Sequence, residues 1–243
     1  MKINLIVCFY DEKNNFRRSE IIDALNRNIQ NSVFDVITLV MENTDTLDSS
    51  IIVSDKVNIH KLAYRVSFLD LFYYFKSSYT NIIANNDIVL KLNGLSKLKL
   101  LLFRESCIAL TRFELDGTIF RKGIGDSQDT WIYGSKLKKE SLIKHGVGNY
   151  HMGLLGCDNR ILFELYSLKV KIFNLPWDFK TIHNHLSGTR NYSEAGRLDG
   201  NYMIMVPTRI TSILFLLFFF QTKISLVKNY LLKKGLIKEF IRI

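Results

Sequence analysis

The sequence predicts an α/β domain, a mixed and mainly parallel sheet flanked by helices, with a helical C-terminal tail. Three observations carry this. Apolar runs of strand length recur at residues 3–10, 36–40 and 81–90, as expected of strands covered on both faces. A segment of helical period separates the first two runs, giving the strand, helix, strand order of a parallel unit. Near residue 200 the composition changes to alternating apolar and basic clusters.

The first strand is the run Ile3, Asn4, Leu5, Ile6, Val7, Cys8, Phe9, Tyr10. Asp11, Glu12 and Lys13 cut it off and no small-residue cleavage site follows, so it reads as a strand rather than a signal peptide. Ser19 is placed to cap a helix over 20–30, where Ile21, Ile22, Leu25 and Ile29 fall on one face. Val36 to Val40 form the second strand, with Glu42 and Asn43 at its carboxyl end. A short strand is predicted at 57–60, and Ser67 as the cap of a helix over 68–76.

The stretch 81–90 organises the remainder. Ile82 and Ile83 suit a covered sheet position, whereas Asn85, Asn86 and Asp87 are poor strand formers and good ligands or turn residues. The carboxyl ends of strands are where open α/β sheets collect ligands. A solvated turn between two apolar runs explains the same residues.

Beyond it, 92–103 reads as an apolar, lysine-studded helix and 107–112 as a strand leading to a turn at Asp116 and Gly117. The polar, glycine-containing loop 121–129 gives way to Thr130-Trp131-Ile132-Tyr133-Gly134. It serves as a ligand wall or as an ordinary loop. Asp158 or Asn159 begins a helix marked by Ile161, Leu162, Leu165 and Leu168, where a carboxylate satisfies exposed backbone N–H groups. A short strand follows at 170–175. His183 and His185 point the same way if the backbone is extended, and neutral imidazole is a common metal ligand; a structural hydrogen bond or an exposed loop accounts for the pair equally well.

The chain has 243 residues, 47% of them apolar, enough for one large domain or a domain with an appendage. Its formal net charge of +10 implies an anionic partner. Cys8, Cys107 and Cys157 are widely spaced, with no pair at metal or redox spacing, which fits a reduced, cytoplasmic setting.

In sequence order, these features are Arg65 before an aromatic helix, Ile-Ala-Asn-Asn-Asp-Ile, Ser-Gln-Asp-Thr-Trp-Ile, Gly-Cys-Asp-Asn-Arg-Ile, and His-Asn-His with Arg190 and Tyr192. Together they resemble small bacterial GT-A-type glycosyltransferases that build O-antigen, capsule or other surface polysaccharide. The resemblance covers residues 1–192 and implies a GT-A-like (Rossmann-like) catalytic domain over 1–200 and a basic, apolar helical segment over 201–243.

It further implies a nucleotide-sugar donor, a glycan or lipid-linked glycan acceptor and a divalent metal, Mn²⁺ or Mg²⁺. Asn85 and Asp87 match the positions of a metal-holding Asp-x-Asp, the first carboxylate here being an amide. Asp87, His183 and His185 are the implied metal ligands. Arg65, Arg160 and Arg190 would steady the departing diphosphate. Asp158 is the implied base for the acceptor hydroxyl, and Asp129 the reserve base or an acceptor-binding residue. The donor's base and ribose would lie near Phe9, Tyr10 and Glu42, with Asn85 and Asn86 beside the diphosphate. Trp131 and Trp177 are either sugar platforms or core residues.

The tail's apolar stretch 213–220 is bounded by Arg209 and Lys223, too short for the roughly 20 residues of a membrane span. Lys228, Lys234, Lys238 and Arg242 fall on one broad helical face, fitting a helix that lies on the anionic inner leaflet, so a peripheral cytoplasmic location is expected. A helix packed on the domain or on a second subunit fits as well. Two rival functions remain on sequence grounds: a basic nucleic-acid-binding module, against which the clustering of basic residues with Phe and Leu counts, and another metal-dependent nucleotide enzyme such as a nucleotidyltransferase.

Overall fold

The computed structural model describes residues 1–92, 105–120, 127–187 and 196–211. The expected helix at 92–103, most of the loop 121–129, Arg190 and the tail's apolar and basic stretches lie outside the described residues. The chain divides into two compact units, Met1–Pro207 and Thr208–Ile243; everything that follows concerns the first.

The elements run β1 (Lys2–Cys8), α1 (Asn15–Gln30), β2 (Val36–Glu42), β3 (Val57–Leu62), α2 (Phe68–Tyr73), β4 (Tyr79–Ala84), β5 (Ile88–Lys91), β6 (Ser106–Leu110), β7 (Thr130–Tyr133), α3 (Lys139–Lys144), α4 (Cys157–Ser167), β8 (Lys171–Phe173) and β9 (Lys180–His183). A seven-stranded sheet has the order β3-β2-β1-β4-β7-β6-β8. Pairings among β3, β2, β1 and β4, and between β6 and β8, are parallel, while β7 is antiparallel to both of its neighbours. This is the mixed, mainly parallel sheet with flanking helices that the apolar runs predict.

The reversed strand sets the site. Because β7 runs against β4 and β6, its first residue, Thr130, pairs with Ala84 and Leu110, the last residues of those strands. Asp129, one residue earlier, therefore arrives at the sheet edge where β4 hands over to Asn85. The Asn85 N–H donates to the Asp129 carbonyl at 3.0 Å.

Helix α1 starts earlier than expected. Asn14, not Ser19, is the N-cap, its side chain accepting from the N–H groups of Phe16 and Arg17 at 3.1 Å each. Two exposed amides are satisfied at once, so the polar stretch before Ser19 becomes the helix's first turn. Ser19 instead bonds back to the Phe16 carbonyl at 2.7 Å. Ser67 does cap α2, in a reciprocal capping box with Asp70, although the helix ends at Tyr73 rather than at 76. The predicted strand 81–90 is two strands: β4 and β5, with Asn85–Asp87 forming the corner between them.

One face of the sheet, presenting Ile6, Val40, Ile83 and Trp131, packs with Phe68, Leu71 and Phe72 of α2 and Ile161, Leu162 and Leu165 of α4. Each buried aliphatic side chain contributes on the order of 1.5–3 kcal/mol. That packing fixes the rotation of α4 about its axis and so sets where Asp158 stands in its first turn. A second ribbon joins β5 to β9 antiparallel, with Ile88 opposite His183. The free edge of β5 is closed by buried Asn28 of α1, which donates to the Ile88 carbonyl (2.7 Å) and accepts from the Leu90 N–H (3.0 Å). Among the described residues no helix is long and apolar enough to cross a membrane.

Candidate functional site

Carboxylates, imidazoles and guanidiniums converge where β4, β6, β7 and β9 meet at one edge. Asp87, 6% exposed, sits at the corner before β5. Its Oδ2 accepts from the Arg17 guanidinium of α1 and from His183 Nε2 at 3.0 Å. His183 closes β9, whose path is fixed by its N–H bonding to the Phe113 carbonyl (2.8 Å), while the next residue, Asn184, donates its N–H to the Asp87 carbonyl (2.8 Å). The other imidazole nitrogen, Nδ1, lies 3.1 Å from Glu114 Oε2.

The chain of charges continues outward. Arg112 donates from Nε to Glu114 and from its terminal nitrogen to Asp129, both at 3.0 Å, and its guanidinium stacks 4.2 Å from the Phe120 ring. Asp129 Oδ1 accepts from the Asn85 side-chain amide at 2.7 Å. At the other end Arg17 also pairs with buried Glu20 at 3.0 Å. Glu20, Arg17, Asp87, His183, Glu114, Arg112 and Asp129 thus form one linked network with signs that alternate along it.

Each group responds to its neighbours. Burial would raise Asp87, but its bonds to His183 and Arg17 win and hold it well below the usual carboxylate range. Burial opposes protonation of His183, yet the bond and charge of Asp87 outweigh it and raise its pKa. His185 is lowered, first by burial and then by the charges of Arg17 and His183. Asp158 behaves oppositely to Asp87: burial first, and the Asp129 charge second, push it up to about 6. Its Oδ2 accepts from the Gln128 N–H at 3.2 Å and its Oδ1 from the Asn159 N–H at 3.0 Å. A carboxyl raised by burial and by a neighbouring carboxylate is suited to proton transfer near neutral pH.

Asp87, His183 and His185 can each offer one ligand atom, all within 4.8 Å of one another. Asp87 Oδ1 and His185 Nε2 are buried with no hydrogen-bond partner among the described residues, an expensive state for polar atoms that a cation would relieve. The Glu114 contact at Nδ1 is the outer bond that commonly orients a metal-binding imidazole through its other nitrogen. Two imidazoles and one carboxylate suit a Mn²⁺- or Zn²⁺-type ion better than Mg²⁺, which prefers all-oxygen sets. The chain's own residues therefore fit a divalent metal.

The amide at Asn85 also acquires a reason. Its Nδ2 donates to Asp129, so a carboxylate there would face another carboxylate across 2.7 Å. The remaining sequence-predicted residues are distributed unevenly. Phe9 is 3% exposed and belongs to the core; Tyr10 is exposed and Glu42 half-buried, at the ends of β1 and β2. Arg65 is exposed, and its charge is felt at Cys8 at the end of β1 together with that of Glu42. Asn86 is buried beside Asp87. Arg160 is turned along its own helix to Glu164 at 2.9 Å. Trp131 is 1% exposed and packs edge-on against Phe68 at 5.0 Å, which makes it core and not a sugar platform; Trp177 is half-buried.

Sequence reasoning missed Arg17, Glu20, Arg112 and Glu114. One signal was available for the first two: an Arg and a Glu three apart on the apolar side of α1, in line with buried Ile21 and Ala24. Arg112 and Glu114 alternate in an extended segment and so share a side.

No protein-family model matches the sequence, and no curated protein is significantly similar to it. Solved structures resemble it at low identity. The 2-C-methyl-D-erythritol 4-phosphate cytidylyltransferase of Francisella tularensis is 11% identical, over 78% of this chain and 94% of that one, with a TM-score of 0.49. Residues 1–349 of S. aureus TarS are 10% identical, over 78% of this chain and 59% of that one, at 0.47. Rv0371c of Mycobacterium tuberculosis H37Rv, in complex with manganese, is 10% identical over 72% and 88%, at 0.42. At such identities the chemistry is decided by this chain's own side chains.

Proposed function

We propose that this protein is a glycosyltransferase that moves a sugar from a nucleotide-sugar donor to a hydroxyl of a glycan acceptor. The observation that carries the reading is the division of labour along one sheet edge. A cation-ready cluster of Asp87, His183 and His185 is linked through Glu114, Arg112 and Asp129 to Asp158, a carboxyl raised to about 6. The first can hold the donor diphosphate through a divalent ion; the second can take a proton.

In this reading the donor's base and ribose lie at the ends of β1 and β2, against Tyr10 and Glu42, with Arg65 exposed nearby to meet phosphate charge. A divalent ion held by Asp87, His183 and His185 would neutralise charge growing on the leaving diphosphate. Asp158 accepts the acceptor's hydroxyl proton as its oxygen attacks the anomeric carbon; the sugar–phosphate bond breaks and a nucleoside diphosphate departs, giving inversion. Arg112 and the Asn85 amide both donate to Asp129, while burial and the neighbouring Asp129 charge push Asp158 up to about 6, where it can take a proton near neutral pH.

A raised carboxyl also weighs against nucleotidyl transfer to a phosphate, because a phosphate nucleophile is already ionised near pH 7 and needs no base. A lipid-linked acceptor, surface polysaccharide as the product and attachment of the 201–243 segment to the inner face of the membrane belong to the same proposal. The test is to incubate the protein with Mn²⁺ and a panel of nucleotide sugars and glycan acceptors and to identify the products. Nucleoside diphosphate release that depends on acceptor, and is lost with Asp158→Asn, is expected. Pyrophosphate as the product would replace this reading with nucleotidyl transfer.

A further inference from the structure

Among the described residues, no side-chain bond of its own holds His185 at the site. The ring's Nε2 is buried and unpartnered, and its neighbour His183 meets it edge-on at 4.9 Å. Strand β9 has ended two residues earlier, and beyond the bond of the Asn184 N–H to the Asp87 carbonyl the hold on this stretch comes from α1. Glu20, 7% exposed, accepts through Oε1 from the N–H groups of Leu186 and Ser187, the latter at 2.8 Å, and through Oε2 from the Ser187 hydroxyl at 3.0 Å. On the other side of His185, the Asn184 amide donates to the Glu20 carbonyl (2.8 Å) and to Asp23 Oδ2 (3.1 Å).

We propose that Glu20 is a positioning residue, a latch on α1 whose carboxylate clamps the backbone just after His185, while the Asn184 side chain is tied to the same helix on the other side, and thereby holds this imidazole at the cation cluster. Two features support the assignment. A carboxylate buried on the apolar side of a helix is costly unless it is fully bonded, and among the described residues the Glu20 carboxylate bonds to Arg17 and to residues 186–187. The same turn of α1 sends Arg17 to Asp87, so a single rigid helix registers two of the three candidate ligands against each other. The proposal rests on the reading of Asp87, His183 and His185 as the metal-binding cluster, and the latch itself can be tested without metal.

The probe is diethyl pyrocarbonate on metal-free protein, with carbethoxylation of each histidine followed by peptide mass spectrometry. Exposed His145 serves as the internal standard. With its backbone clamped and Nε2 buried, wild-type His185 reacts slowly. Glu20→Ala should accelerate it roughly tenfold, in keeping with the loss of charge-assisted bonds, with His145 unchanged. Glu20→Gln keeps an oxygen for the two N–H groups and should remain near the wild-type rate, whereas Glu20→Met, which keeps the bulk but offers no oxygen, should behave like Glu20→Ala, a difference that a general packing role would not give. Ser187→Ala, which removes one bond to the Glu20 carboxylate and leaves the interior of α1 intact, should show a smaller acceleration and decides the matter if Glu20→Ala does not fold. Wild-type reactivity at His185 in folded Glu20→Ala, or in Ser187→Ala where Glu20→Ala does not fold, overturns the latch. Mn²⁺ titration followed by electron paramagnetic resonance separates the two ideas. If wild type binds no Mn²⁺, the metal reading falls and the carbethoxylation rates still judge the latch. If it binds, Glu20→Ala should bind roughly tenfold more weakly, and equal binding counts against the latch.

Discussion

Asp158→Asn should abolish transfer and stabilise the protein at neutral pH. The raised carboxyl is the reason. Moving from the ordinary 3.8 to about 6 is about two units, or roughly 3 kcal/mol at 1.36 kcal/mol per unit. With the folded-state value above the unfolded one, Asp158 adds stability that is full below the unfolded value and is lost as pH rises through 6. At pH 7.5 the ionised group is therefore a burden on the fold. Asparagine removes it, but can offer its single oxygen to only one of the Gln128 and Asn159 N–H groups, at a cost of about 1 kcal/mol. Asp158 is only half-buried, and solvent scales the electrostatic part down further. A net gain of about 1–2 kcal/mol remains, or roughly 2–8 °C in Tm for a domain of this size. Turnover should fall roughly 10²–10⁴-fold, the usual contribution of a general base. Melting curves of both proteins at pH 4 to 8, beside a transfer assay, decide it. The difference should be absent or reversed at pH 4 and grow through pH 6. A variant that melts no higher than wild type at pH 7.5, or that turns over normally, would refute the assignment of Asp158.

Asp87→Ala should abolish activity and also destabilise the fold. It leaves Arg17 and His183 buried without their shared carboxylate, and breaking such a buried pair costs about 3–5 kcal/mol, readable as a lower urea midpoint. Asn85→Asp, which restores the Asp-x-Asp pattern, should weaken the protein rather than improve it. The new carboxylate faces Asp129 in place of a 2.7 Å donor, for a loss of about 1–3 kcal/mol at pH 7 that shrinks on acidification. Gly156→Ala should cost about 1–3 kcal/mol. Gly156 caps α4 at φ 85°, and an added Cβ would sit 2.9 Å from the Tyr202 ring. Since Asp158 follows two residues later, kcat should drop with stability; a variant with wild-type melting and turnover would remove strain at this cap from the account.

Periodicity made the strands and long helices legible, because burial alone dictates it: β1, β2 and the core faces of α1 and α4 follow directly from apolar spacing. The corner at Asn85–Asp87 was half legible. Its composition signalled a break, but an apolar run on each side looks the same whether one strand continues or two strands of different sheets meet. The reversal of β7 left no trace in its sequence. Strand direction is a property of pairing, and Thr130–Tyr133, buried throughout, would read identically either way.

That reversal explains why the carboxylates and imidazoles were easier to find than the residues that make them work. Aspartate and histidine stand out at strand ends as types, whereas Arg17, Glu20, Arg112 and Glu114 matter through partners 17 to 167 positions away. Their role follows from which edges the sheet brings together. A metal ligand set can thus be guessed from a motif, but the proton affinities cannot. Asp87 and Asp158 are the same residue type, pushed in opposite directions by what the fold places against them: two cations for the first, partial burial and a second carboxylate for the second. Any chain that kept the Asn-Asn-Asp and His-Asn-His segments but lost the reversed strand would keep the candidate ligands and lose the Asp129 charge that helps to raise Asp158.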